Sequence, residues 1–241
     1  MVDEATRTLR NSWAETRKRI ATAATRWGRL CDSVGLVAIS KGHAASALRA
    51  VAGFGQRDFG ENYLQEALPK IQGLADLRLT WHFTGQLQGN KTRSVAEYFD
   101  WVHTLDRERI AMRLNEQRPH YAPPLNICLQ VSLVDEPGKG GVPPDQVPAL
   151  AHSVAQLPKL KLRGLMCIPP PRDTFEEQRA LFEQLAACQR RLVDRGFALD
   201  TLSMGMSADL EAAIAAGATW VRVGTAIFGE RPAAHRHGET T

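Results

Sequence analysis

The sequence predicts an α/β fold of the (β/α)8 kind: a closed barrel of eight parallel strands ringed by helices, with an extra helix at the N-terminus. Three observations predict it. Eight short apolar runs alternate with helix-periodic segments along the 241 residues. Those runs read as buried rather than half-exposed, as strands of a parallel sheet covered on both faces do. The length suits one barrel domain of about 250 residues, and no Pro/Gly/Ser-rich linker divides the chain. A doubly wound open sheet is the alternative that the same alternation allows. The barrel is expected over residues 1–230, with a loose polar tail at 231–241.

The elements follow in order. Leu9, Trp13, Ile20, Ala24 and Trp27 recur at helical spacing, so the first thirty residues read as one long amphipathic helix. Leu36–Ile39 is a buried strand and Ala44–Phe54 a helix. Arg57–Gly60 is a short strand, followed by a helix from Glu61 to Ile71. Thr80–Thr84 is strand-like and Asn90–Phe99 helical; Trp101–Leu105 is a fourth strand, with Asp106 placed to N-cap the next helix. Asn126–Leu133 is the clearest strand, and Pro143-Pro144 opens a helix running through Leu157. Leu162–Ile168 is closed by Pro169-Pro170-Pro171 and followed by a long helix to Arg195. Thr201–Met204, a helix over Ala208–Ala216, the strand Trp220–Val223 and a last turn at Thr225–Phe228 complete the pattern.

Composition narrows the function classes. Hydrophobic residues make up 44% and charged residues 23%, ordinary globular usage that excludes global disorder and fibrous repeats. Thirty Lys and Arg against 26 Asp and Glu leave +4, spread along the chain without the aromatic-laced basic patch of a nucleic-acid binder. The densest run, Arg17-Lys18-Arg19, reads as a solvated helix face. Cys31, Cys128, Cys167 and Cys188 are far apart with no C-x-x-C pair, which suggests neither a zinc site nor a disulfide framework but buried thiols in a reducing compartment. The acidic start lacks a signal peptide's apolar run, and no apolar stretch reaches the ~18 residues of a membrane span. A cytoplasmic monomer, with no membrane or nucleic-acid partner, is the expectation.

Several features read plainly. His82 and His103 lie in strand-like runs as hydrogen-bonded core histidines. His235 and His237 sit in the tail. Gly138-Lys139-Gly140-Gly141 is a flexible turn and not a phosphate-binding P-loop, because Gly140 stands where Ser or Thr is required.

In such a barrel, function collects at the C-terminal ends of the strands. Those ends carry Ser40-Lys41, Gly60-Glu61-Asn62, Thr84-Gly85, Gly205-Met206-Ser207 and Gly224-Thr225. Lys41, just past a buried strand, sits where desolvation would disfavour the ammonium and leave a nucleophilic amine. On position alone, a rim lysine that snorkels to water is the plainer reading. Ser207, placed to N-cap a helix, and Gly224-Thr225 after strand eight form a pair of N–H and hydroxyl clusters, as in phosphate cradles; capping chemistry alone would also explain each. Arg222, a charge inside strand eight, needs either the mouth or a carboxylate partner. A nucleophilic lysine, a phosphate cradle and an arginine together suggest a phosphate-bearing aldehyde, pyridoxal 5′-phosphate (PLP).

The segments Leu36–Lys41 (LVAISK), Phe59–Gln65 (FGENYLQ), Trp81–Lys91 (WHFTGQLQGNK), Leu162–Pro169 (LRGLMCIP), Leu202–Gly217 (LSMGMSADLEAAIAAG) and Val221–Gly229 (VRVGTAIFG) closely resemble the pyridoxal phosphate homeostasis protein family. The resemblance runs from about residue 10 to residue 230. It implies a fold-type III PLP-binding barrel, like the N-terminal domain of alanine racemase, and a role without turnover in keeping PLP and amino-acid pools in balance. By resemblance, Lys41 matches the Schiff-base lysine, Arg222 the arginine facing the pyridine nitrogen, and Asn62 the asparagine beside the ring. Ser207, Gly224 and Thr225, with the Met206 backbone, match the phosphate site, and Lys139 falls where the family often has a second lysine near the mouth. Gln86 follows Gly85 where many relatives carry proline. The expected partners are PLP itself and, transiently, PLP-dependent apoenzymes.

The competing function is an amino-acid racemase of the same fold type. Such an enzyme resembles this barrel plus a β domain, and uses a partner subunit's tyrosine as a second base. Nothing after residue 230 is expected to form that domain, and Tyr63, Tyr98 and Tyr121 all lie in the first part of the chain. The carrier is therefore the expected function.

Overall fold

The computed structural model describes residues 3–134 and 140–230. The N-terminal helix α1 (Glu4–Arg26) leads into β1 (Gly35–Ile39), α2 (Ala45–Gly53), β2 (Asp58–Glu61), α3 (Leu64–Gly73) and β3 (Thr80–Phe83). A 3₁₀ turn (Gly89–Lys91) precedes α4 (Thr92–Tyr98), then β4 (Trp101–Leu105), α5 (Glu108–Gln117), β5 (Leu125–Gln130) and α6 (Val147–Ala155). The chain continues through β6 (Leu160–Met166), α7 (Phe175–Val193), β7 (Thr201–Ser203), α8 (Leu210–Ala215), β8 (Trp220–Val223) and α9 (Thr225–Phe228). The eight strands pair in parallel in sequence order, and β1 pairs with both β2 and β8, so the sheet closes. The open sheet is excluded by that closing pair, in which Val37 lies opposite Arg222.

Helices form where the apolar stripe repeats and are fixed by their caps. In α1, Ile20 and Ala24 are buried, Leu9 and Trp13 pack against the core, and Asp3 Oδ1 accepts the Thr6 N–H at 2.7 Å. The helix ends earlier than its periodicity, at Arg26. Trp27 leaves it to stack on Phe175, beneath the Arg179 guanidinium. Helix α7 opens with a reciprocal box in which Thr174 Oγ1 accepts the Glu177 N–H and Glu177 accepts the Thr174 N–H. Such a cap contributes about 1 kcal/mol.

Three local expectations are corrected. Asp106 does not cap α5: Arg107 holds the cap position, and Asp106 accepts from the Arg107 guanidinium at 2.9 Å, a charge-assisted bond stronger than one to a neutral amide. Ser207 does not cap α8 either. Gly205, at φ +93°, turns the chain so that 207–209 form a turn, and Asp209 takes the position before Leu210. Arg19, read as part of a solvated face, donates to both Glu211 oxygens at 2.8 and 3.0 Å and to the Ser207 carbonyl at 3.1 Å.

The main core lies between strands and helices, with Leu48, Phe59, Phe83, Phe99, Ile127 and Phe182 fully buried in it. The space inside the barrel differs. Contacts between strands that are not neighbours in the sheet must cross it, and these are aromatic and polar. His82 of β3 packs on Trp220 of β8, Trp101 of β4 meets Trp220 edge-on, and His103 of β4 bonds Ser203 of β7. Trp101, Cys128 and Met166 form a separate small apolar cluster.

Candidate functional site

At the C-terminal ends of the strands lies a cavity of about 290 Å³, open on one side to solvent. Lys41, Asn62, Met206, Ser207, Arg222, Gly224 and Thr225 all line it, although they come from β1, β2, β7, β8 and the loops after them. Closure of the barrel is what brings residues 41 and 225 to one wall. Lys139 lies outside the described residues, as do His235 and His237.

Lys41 is half-buried, and the backbone on both sides of it is held by charged side chains of α3. Lys70 Nζ donates to the Ser40 carbonyl at 2.8 Å and to Glu61 Oε1 at 2.7 Å. The Ser40 hydroxyl donates to Glu61 Oε1 at 2.6 Å, and the Gly42 N–H to Glu66 Oε2 at 2.6 Å. Glu61 is fully buried, its Oε2 has no hydrogen-bond partner, and burial pushes its carboxyl up against the opposing pull of Lys70 and Ser40. The strand end bearing Lys41 is thereby fixed while its side chain reaches the cavity.

Arg222 is buried, and donates from Nη1 to Ser203 Oγ at 2.8 Å and from Nη2 to the Cys167 carbonyl at 2.9 Å. Burial pushes its pKa down, opposed by Cys167, Asp209 and Cys128. Among the described residues no carboxylate pairs with it directly, so the structural ion pair that would have explained a strand arginine is missing. Cys128 and Cys167 are themselves pushed up to about 12 by burial, and neither is a thiolate nucleophile at neutral pH.

The other end of the cavity is built from two adjacent loops. Ser207 and Thr225 present hydroxyls, and Gly224 lies between β8 and α9. The Met206 N–H is already donated to Asp209 Oδ1 at 2.6 Å, so Met206 lines the cavity with its amide engaged. Burial raises the Asp209 carboxyl. Asn62 Oδ1 accepts from Thr84 Oγ1 at 2.9 Å, and Gly85 packs so closely on Asn62 that a Cβ there would lie 2.0 Å from its carbonyl oxygen. A neighbouring recess of about 280 Å³ shares Asn62, Thr84 and Ile168 and is lined further by Gln86, Thr104 and Gln130.

Sequence reasoning missed His43, which lines the cavity with its ring stacked on Phe228, and the cluster formed by Glu61, Glu66 and Lys70. A signal for Lys70 existed: it falls three residues after Ala67 and six after Leu64, on the buried stripe of α3. His82 and His103 are buried and hydrogen-bonded, as their strand positions suggested.

Residues 18–232 match the family of the alanine racemase N-terminal domain, which sets the class: a PLP-binding barrel of that type. The chain is 55% identical over 224 residues to the pyridoxal phosphate homeostasis protein of Pseudomonas aeruginosa, covering 93% of this chain and 96% of that one. It is 50% identical over 226 residues to the protein of that name from Escherichia coli, with 92% and 97% covered. The chain belongs to the pyridoxal phosphate homeostasis protein family. Among solved structures it resembles PipY of Synechococcus elongatus with PLP bound, at TM-score 0.78 and 42% identity over 87% of this chain and all of that one. Alanine racemase from Bacillus anthracis, at TM-score 0.67 and 15% identity over 95% of this chain and 57% of that one, shares the fold.

Proposed function

We propose that this protein binds PLP as a Schiff base on Lys41 and holds it without turning over amino acids, buffering the PLP pool on which apoenzymes draw. The observation that carries the reading is the single cavity that gathers an amine, paired hydroxyls and a buried guanidinium. PLP has a matching set of groups: an aldehyde, a phosphate and a ring nitrogen. When bound, it supplies a carbonyl carbon for an amine and a ring able to withdraw electrons. PipY, a relative at 42% identity, was solved with PLP, and the relatives at 50–55% identity carry the homeostasis name.

The residues present fit that group. Lys41 Nζ is the amine; its flanking backbone is held by Lys70 and Glu66, and the Ser40 hydroxyl by Glu61. Ser207, Thr225 and Gly224 offer hydroxyl and amide donors to the phosphate. Asn62, held by Thr84, would flank the ring from the cavity lining. Arg222 only donates, so it offers N–H to the ring nitrogen and cannot keep it protonated as a carboxylate would. That weakens the ring as an electron sink. Among the described residues lining the cavity, the side chains with a basic nitrogen besides Arg222 are Lys41 and His43, two residues apart on one loop. The lining contributed by the loops after β7 and β8, Met206–Ala208 and Gly224–Thr225, offers no second base.

The test is an absorption spectrum of cofactor-saturated protein before and after borohydride, followed by peptide mapping and an assay of racemisation and deuterium exchange at Cα of alanine, serine and lysine. Yellow colour, a reduced cofactor on the peptide containing Lys41, and its loss in Lys41→Ala are expected. Racemisation with kcat on the order of 1 s⁻¹ or more, lost in Lys41→Ala, overturns the non-enzymatic role.

A further inference from the structure

The polar groups inside the barrel form one continuous line. From the cavity floor, Arg222 Nη1 meets Ser203 Oγ at 2.8 Å, Ser203 Oγ meets His103 Nδ1 at 2.7 Å, His103 Nε2 meets His82 Nδ1 at 2.9 Å, and His82 Nε2 meets Asp58 Oδ1 at 3.0 Å. The five residues come from β8, β7, β4, β3 and β2. Asp58 stands at the start of β2, its side chain 26% exposed, in a cleft shared with Trp13, Arg17, Gln56 and Trp220 at the opposite end of the barrel. The line therefore runs from the cavity through the interior to the far face. Trp101 stacks on the His82 ring at 5.5 Å and Trp220 packs on it at 5.4 Å, which shields the middle from water.

The chemistry of the two ends fixes the direction of every bond. Arginine has no acceptor, so Ser203 Oγ accepts from Arg222 and its one proton goes to His103 Nδ1. His103 then carries its proton on Nε2, which donates to His82 Nδ1. His82 carries its own on Nε2 and donates to the Asp58 carboxylate. The reverse polarity would set a bare imidazole nitrogen against a carboxylate oxygen at 3.0 Å and leave Ser203 with two donors and no acceptor. Both rings are neutral in this arrangement, with one proton per link.

We propose that Ser203, His103, His82 and Asp58 are positioning residues for Arg222: a one-way hydrogen-bond chain that locks the guanidinium on the cavity floor and leaves its remaining N–H groups to the ligand. Two of the guanidinium's five donors are taken by Ser203 Oγ and the Cys167 carbonyl, and this choice determines which of the others face the cavity. The proposal rests on the reading of that cavity as a PLP site with Arg222 towards the ring nitrogen. Asp58 ends the chain as the acceptor that sets its direction, while the carboxylate acting on Arg222 through space is Asp209.

Long-range ¹H–¹⁵N NMR of the ligand-free protein at pH 7 reads the chain directly. Neutral Nε2–H tautomers for both His82 and His103, and resolved, slowly rotating Nη signals for Arg222, are expected. Ser203→Ala should mix the His103 tautomers and average the Arg222 signals, while Ser203→Thr, which keeps the hydroxyl, should restore both. Asp58→Asn keeps an acceptor for His82 and should leave the tautomers unchanged. With PLP bound, Ser203→Ala should shift the pyridine ¹⁵N resonance and weaken binding about tenfold, with Lys41 still fully labelled by borohydride. Nδ1–H or doubly protonated rings in the wild type, or Ser203→Ala spectra identical to wild type, overturn the proposal. Failure of the PLP reading would show instead as wild-type protein without a borohydride-fixed cofactor, and the ligand-free spectra decide the chain in either case.

Discussion

Ser207 and Thr225 differ from Lys41 in how their sequence positions relate to their work. Lys41 is marked by the apolar strand before it. The two hydroxyls are ordinary residues in ordinary turns, and they share the cavity lining because β7 and β8 are neighbours, so the loops after them lie side by side. Each contact between a neutral donor and a phosphate contributes about 1.5–3 kcal/mol, roughly tenfold to over a hundredfold in affinity. Ser207→Ala with Thr225→Ala should therefore weaken PLP far more than phosphate-free pyridoxal, measured by titrating the protein with each. Equal weakening of both would mean that the cavity wall itself had moved. The Met206 amide, which the family resemblance assigns to the phosphate, is spent on Asp209 in this structure, so Asp209→Ala should release it and tighten PLP. The same titration checks it, and weaker binding would mean that Asp209 is needed to shape the turn. Neither the Asp209 bond nor the failure of Ser207 to cap α8 is visible in the sequence, because both depend on the turn that Gly205 imposes.

At the scale of elements, α3 and α1 are more than covers for the sheet. Helix α3 delivers Lys70 to a fully buried glutamate and to the carbonyl before Lys41. Removing one member of a buried ion pair leaves the other charge without compensation, at a cost of about 3–5 kcal/mol, whereas removing both is far milder. Lys70→Met should accordingly lower stability by about that amount in urea denaturation, and Lys70→Met with Glu61→Gln should recover part of it. A double variant no better than the single would show that the Ser40 carbonyl, and not Glu61, is what Lys70 serves. Helix α1 reaches the other side of the cavity, where Arg19 ties Ser207 to Glu211. The periodicity of both helices was legible and their burial followed from it. The partners of Arg19 and Lys70 were not, since they lie 192 and 9 residues away respectively and only the second is close enough to suspect.

Taken whole, the molecule carries two histidines and an arginine inside its barrel, packed among Trp101, Trp220, Cys128 and Met166, and the buried histidine makes its stability sensitive to acid. The pKa of His103 is pushed well below 6.5, first by burial and then by His82 and the Arg222 charge. Below 6.5 the unfolded chain takes up a proton there and the folded one does not, so the unfolded state binds more protons and stability rises with pH across that window. The contribution is complete above 6.5 and is lost as the pH falls towards the lowered folded value, by up to about 1.4 kcal/mol per pH unit. Glu61 works against this. Its folded pKa lies above the ordinary 4.5, so between those two values the folded state binds the extra proton and acid is stabilising. Urea denaturation of the ligand-free protein between roughly pH 7 and pH 5 should show falling stability, with a steeper fall in Glu61→Gln. A flat profile in both proteins would contradict a neutral buried His103.

By itself the sequence determined the alternation, the eight strands within a few residues, the strand ends where chemistry collects and, through long matching segments, the family. Those are properties of periodicity and local composition, which the chain carries residue by residue. Tertiary structure decided what depends on distance across the fold. Barrel closure placed Lys41 beside Thr225, the turn at Gly205 displaced Ser207 from its helix, and α3 brought Lys70 to Ser40. The line from Arg222 to Asp58 is the clearest case. Its members are 164 residues apart at the ends, and nothing in their local sequence distinguishes two core histidines that merely find partners from two that join one end of the barrel to the other.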